Sequence, residues 1–138
     1  MKLNFLKDRK ALETVEAAIT LPIAILVMLA TINLGLVVFG QQAVQAAARH
    51  GARMGSVAQQ CAPCYAVSEA RAAIKTAAIV QNGDVTILAP GGRAGSILKI
   101  RVTGEVPNFF GGLSAIFPGL PEGPFQLRAE ATFRQEGW

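Results

Sequence analysis

Two carboxylates and two thiols are the residues of this chain whose spacing suggests chemistry. Glu13 and Glu16 stand at the mouth of a long apolar stretch, and Glu16 is followed by 32 residues without a charge. Cys61 and Cys64 form a C-A-P-C motif beyond that stretch. A CxxC pair can be a redox centre, half of a zinc site or a local disulfide. No second CxxC exists, and the single histidine, His50, lies about three helical turns before Cys61. No metal site and no cofactor are therefore expected. A thioredoxin-like redox centre belongs to a strand-then-helix pattern, whereas a long helical pattern precedes the motif here. Outside the cytoplasm a structural Cys61–Cys64 disulfide is the favoured reading. Neither a Ser-His-Asp set nor a catalytic carboxylate pair is suggested by the spacing. The "GGRAG" at 91–95 leads into a strand pattern, not into the helix that a phosphate loop requires. The chemistry of an enzyme is not expected.

The carboxylates are positioned by the element that follows them. From Ala17 to Gly40 there is no charged residue, and the polar ones are Thr20, Thr31 and Asn33. A bilayer core takes about 20 apolar residues in a helix, so a single span over about 17–40 is expected. Hydrophobic residues make up 51% of the 138 and the mean hydropathy is +0.38, an excess concentrated in this stretch. The segment is longer than the apolar core of a signal peptide, about 7–15 residues. Lys2, Lys7, Arg9 and Lys10 precede it, opposed by Asp8. Positive flanks favour the cytoplasmic side, which puts the N-terminus inside and the bulk of the chain outside. The remaining basic residues are scattered without stacking aromatics, so no nucleic-acid partner is expected. Arg49, His50 and Arg53, just past the span, suit either lipid phosphates or a salt bridge across a contact between subunits.

The apolar stretch runs without a turn into "QQAVQAAARHGARMGSVAQQ", rich in good helix formers. One helix over 12–60 is predicted, about 70 Å long, with a kink or loosening at Pro22. Gly51 and Gly55 share a face with Ala47, and small residues at that spacing let another helix or sheet approach closely. "CAPC" reads as a turn. Residues 65–80 then show a helical period with Val67, Ala70, Ile74, Ala77 and Ala78 on one face, stopped at Gly83. From Asp84 the period becomes two. Leu98, Ile100, Val102 and Val106 alternate with Lys99, Arg101, Thr103 and Glu105, and residues 125–134 repeat the pattern. The link 107–124 is long for a hairpin. Its Phe109, Phe110, Ile116 and Phe117 suit packing over the sheet or a contact with another subunit. The fold class is therefore α+β: a long N-terminal helix, a short second helix and a small antiparallel sheet of about three strands. The division is a basic leader at 1–11, the helix at 12–60 and an extracytoplasmic domain at 61–138.

A basic stretch of about ten residues, a small residue, four more, a glutamate and an unbroken apolar helix together resemble the processing site of type IV prepilins. Val15-Glu16, Leu21-Pro22, Phe39-Gly40, Gln41-Gln42 and the Ala47 to Arg53 segment are similar to the TadE-like pseudopilins of the tight adherence system. The similarity covers about the first 55 residues. The family more often has glycine where this chain has Ala11, and an aromatic residue where it has Ala17. The resemblance implies a pilin-like fold and a prepilin peptidase cut between Ala11 and Leu12, which makes Glu16 the fifth residue of the mature chain. It implies that Glu16 pairs with the free α-amine of a neighbouring subunit and sets the register. A charge of either sign is costly alone in a low-dielectric bundle and much less so as a pair. It further implies pilin-like partner subunits, with an assembly ATPase and platform proteins acting indirectly. The location implied is the inner membrane, then a surface filament. The alternatives are an uncleaved bitopic accessory protein of the same kind of system and a membrane-tethered thiol oxidoreductase using Cys61 and Cys64.

Overall fold

In the computed structural model, residues 9–115 and 118–136 are described, with side chains from Leu12 onward. The element order is α1 (Arg9–Ser56), α2 (Ala62–Thr76), β1 (Gln81–Pro90), β2 (Ile97–Val106) and β3 (Phe125–Arg134). This is the expected α+β arrangement. By contact the chain divides into two units, Met1–Leu34 and Gly35–Trp138. The boundary falls inside α1, so the outer part of that helix belongs to the folded domain.

In the first unit α1 is helical through Pro22. The hydroxyls of Thr20 and Thr31 donate to the carbonyls of Glu16 and Val27 at 2.7 and 2.9 Å. Both threonine hydroxyls of the apolar stretch thus find partners one turn back on their own helix, as a segment without water requires.

In the second unit the three strands form an antiparallel sheet in the order β1-β2-β3. The β2–β3 register is unbroken from Ile97↔Arg134 to Val106↔Phe125. The alternation read from the sequence follows from this register. Leu98, Ile100, Val102, Gly104 and Val106 are all buried, and their neighbours in between are not. A three-stranded sheet is marginal alone, and α1 and α2 cover its apolar face. The core joins Val44, Ala47, Ala48 and Ala52 of α1 to Ala66, Ala70 and Ile74 of α2 and to the inner residues of the strands. Leu98, Ile100 and Val102 are completely buried, each worth about 1.5–3 kcal/mol of transfer free energy.

Several boundaries differ from the sequence reading. The "CAPC" segment is no free turn: Cys61 caps α2, and Ala62, Pro63 and Cys64 are its first turn. Proline is tolerated there because the first N–H groups of a helix lack partners anyway. At the other end α2 stops at Thr76, where the Ala77 N–H returns to the Ile74 carbonyl. Gly83 does not end the helix. It lies in β1, where a Cβ would come within 3.0 Å of the Ile74 side chain. The β1 strand starts at Gln81, paired with Glu105, and is irregular between Gln81 and Asp84, with Asn82 at φ +49°. The buried face of α2 also shifts, to Ala62, Ala66, Ala70 and Ile74.

Candidate functional site

The first half of α1 presents large apolar side chains that no other part of its unit covers. Leu12, Ile19, Leu21 and Leu34 are each more than 60% exposed. The most apolar window of the helix has a mean hydropathy of 2.5, and 11% of it is buried. This is long and apolar enough to cross a membrane, and it fits membrane insertion. Leu12 and Glu16 stand four apart and therefore on one helix face. Glu13 and Glu16 are exposed, and among the described residues neither has a cationic partner. Ala11 lies within α1, but its side chain falls outside the described residues, as does most of the 1–11 leader.

The outer half of α1 carries the small residues. Gly51 meets α2: a Cβ there would stand 2.5 Å from the Ala66 carbonyl oxygen and 2.6 Å from the Ala70 Cβ. Gly55 meets Ala62, Ala66 and the Leu98 side chain at 2.7 Å each. Ala47 is buried in the same core. The partner of the Gly51–Gly55 pair is thus an alanine row on α2 repeating every four residues. That spacing, Ala62, Ala66, Ala70, Ile74, is readable in the sequence once the helix is started at Ala62. Gly40, read from the sequence only within the Phe39-Gly40 pair, lies against Val106 and Leu127 in the same way. Nearby, the Gln41 amide donates to the Arg128 carbonyl at 3.0 Å.

His50 does not stand alone past the span. Its Nε2 lies 3.5 Å from a Glu69 carboxylate oxygen, linking α1 to α2 across the small-residue contact. Arg49 and Arg53 remain exposed.

Cys61 and Cys64 are bonded, with Cα atoms 5.2 Å apart. The Cys61 sulfur also accepts the Cys64 N–H at 3.3 Å, and its carbonyl accepts the Tyr65 N–H. Among the described residues no group of three or more His, Cys, Asp or Glu is placed to hold a metal.

The link between β2 and β3 is held at both ends by Asn108. Its amide donates to the Pro121 and Gly123 carbonyls, and its Oδ1 accepts the Phe110 N–H at 2.9 Å. Phe109 is half exposed and Phe110 partly buried; Ile116 and Phe117 lie outside the described residues.

The polar face of the sheet is organised around Glu130. Lys99 Nζ at 2.7 Å, Arg101 Nη2 at 2.9 Å and Arg128 Nη2 converge on its carboxylate. Hydrogen bonds from Arg128, then Lys99 and Arg101, hold its pKa down, from 4.5 to about 2. Glu105 is lowered too, by the Gln126 and Asn82 amides.

A helix with an apolar, uncovered first half and a second half built into a small α+β domain fits a pilin-like membrane protein. Residues 13–53 match the family model described as TadE-like protein. The match takes in Glu13, Glu16, the apolar half of α1 and the stretch through Gly51 to Arg53. No curated protein and no solved structure matches the chain.

Proposed function

We propose that this chain is a structural, pilin-like subunit of a surface filament or of the machine that assembles it. It is inserted with its N-terminus inside and its α+β domain outside, cut between Ala11 and Leu12 by a prepilin peptidase, and assembled through α1. The observation that carries the reading is the TadE-like match along α1, which takes in the half whose apolar side chains are uncovered. Such a surface is satisfied first by lipid and, after assembly, by the same surface of neighbouring subunits. Glu16 then faces the new α-amine of an adjacent Leu12. In a low-dielectric bundle that pair tolerates one axial register and penalises the others. Partner subunits, and indirectly the assembly ATPase and platform, are the protein partners of this reading. The protein itself performs no catalysis in it.

N-terminal sequencing of the assembled protein from its host tests the cut, with Leu12 as the expected first residue. A chain that still begins at Met1 in assembled material points instead to an uncleaved bitopic accessory protein. Glu16→Ala is expected to leave membrane insertion intact and to reduce filament yield at least tenfold, about 1.4 kcal/mol of coupling. Wild-type yield from that variant removes the register role.

A further inference from the structure

The strands gather charges that lie far apart in the chain. Lys99 and Arg101 of β2 and Arg128 and Arg134 of β3 all stand on the polar face of the sheet, away from the core. Lys99, Arg101 and Arg128 share a single carboxylate, Glu130, so the cluster keeps two positive charges in excess. The face's other two carboxylates are engaged elsewhere. Asp84 lies 3.7 Å from Arg71 of α2, and Glu105 accepts from the Asn82 and Gln126 amides. The side chains of Lys99 and Arg128 remain 38% and 57% exposed, within reach of a ligand. Each cation of the cluster also stands directly across from a threonine: Arg101 from Thr86, Lys99 from Thr132 and Arg128 from Thr103. Residues paired across strands have Cβ atoms about 4.5–5.5 Å apart, so each cation has a hydroxyl beside it. Glu130 shows which anion these cations accept: a carboxylate, the group that the arginine fork matches.

We propose that this face binds an acidic polysaccharide, its sugar carboxylates meeting Lys99, Arg101 and Arg128 and its hydroxyls meeting Thr86, Thr103 and Thr132. Charge sets the sign of the partner, and the threonines set its kind. A polymer that carries carboxylates among hydroxyl groups matches the cation-beside-threonine pattern across the strands. Other polyanions match it less well. A duplex nucleic acid needs more surface. Three strands about 4.8 Å apart and ten residues long give a strip of about 10 by 33 Å, well short of the 600–1,000 Å² that a single DNA-binding module buries. Single-stranded nucleic acid stacks on aromatic side chains, and the aromatic residues of these strands, Phe125 and Phe133, lie on the other face. An extended acidic peptide docks on a sheet edge or in a groove, and this face is neither. Binding adds charge-assisted hydrogen bonds to cations that one glutamate leaves in excess. The proposal rests on the outside placement of the domain and is independent of the cut and of assembly.

The test uses the full chain in zwitterionic phosphatidylcholine nanodiscs, with labelled polygalacturonate as the probe and fluorescence anisotropy as the readout. The polymer is expected to bind at low salt and to be released as salt rises. Lys99→Gln and Arg128→Gln should each weaken binding about tenfold, as the loss of one charge-assisted hydrogen bond does. Lys75→Gln removes the same charge from α2, on the other side of the sheet, and should leave binding nearly unchanged. Thr103→Val keeps every charge and a side chain that suits a strand, and should weaken binding several-fold. Circular dichroism checks that each variant is folded. Duplex DNA, polyglutamate and empty phosphatidylglycerol nanodiscs, matched in charge, should compete poorly. No binding at low salt, an equal loss from Lys75→Gln, no loss from Thr103→Val, or stronger competition by any of the three other polyanions would overturn the proposal. N-terminal sequencing has no bearing on these readings, so failure of the cut and failure of the binding face are told apart.

Discussion

The two halves of α1 share one helix and solve opposite problems. From Leu12 to Leu34 the large side chains are mostly leucine, isoleucine and valine, and most of them are uncovered; Leu21 and Ile23 are 64% and 57% exposed. From Gly35 to Ser56 the residues facing the core shrink to Val44, Ala47, Ala48, Gly51, Ala52 and Gly55. The difference teaches that apolar character alone does not say what a helix faces. A lipid surface rewards apolar area, and a protein surface rewards closeness of approach.

The comparison is broken most directly by exchanging sensitivities. Leu98→Ala removes a completely buried side chain from the core beneath α1. It is expected to lower the unfolding free energy of the domain by about 2–5 kcal/mol. Leu21→Ala, on the uncovered half, should change it by less than about 0.5 kcal/mol. Urea unfolding of the detergent-solubilised chain reads both, and equal losses would erase the distinction between the halves. A smaller effect sharpens it. Gly51→Ala drives a methyl group into the Ala66 carbonyl and Ala70, an overpacking that costs about 1–3 kcal/mol and outweighs the better helix propensity of alanine, about 1 kcal/mol. Gly35→Ala meets no atom within 4 Å, so the same substitution sixteen residues earlier should be neutral or slightly stabilising in the same unfolding measurement.

The smallest effect concerns the polar face of the sheet. Glu130 in the folded chain holds its proton only near pH 2, against an ordinary value of 4.5. Its folded pKa is lowered, so its contribution is fully present above about pH 4.5 and is lost as the pH falls towards 2. Glu130→Gln is expected to flatten the stability curve across that acid window and leave its slope near neutrality unchanged. Urea midpoints between pH 2 and 6 check this. Glu130 is partly exposed, and salt should weaken the effect.

Much of this was legible in the sequence for one reason: a covered face beside an open one writes its period into the chain. Leu98 to Val106 alternate because α1 and α2 cover one side of β2 and the other meets water. Local punctuation was less readable. Pro63 looked like a turn, yet proline suits the first turn of a helix. The "QNGD" stretch looked like a stop, yet Gln81 pairs with Glu105, and that pairing comes from 24 residues away. Gly51 and Gly55 announced a close approach by their spacing, but the row of alanines opposite belonged to a helix whose start had been misplaced. Glu16 is a different case. Its proposed counter-charge belongs to another copy, so nothing within one chain displays the pair. Asn108 gave no signal, because its partners lie 13 and 15 residues downstream.

That asparagine has a consequence for how the molecule can vary. By tying Pro121 and Gly123 back to the end of β2, Asn108 makes the two feet of the link a fixed socket. The chain between them can then lengthen or shorten without altering the spacing of β2 and β3. Closing a longer loop adds only slowly to the entropy lost, about 0.6 kcal/mol for each doubling. The link is thus the natural place for variants of this architecture to carry new cargo, while the sheet beneath keeps its register.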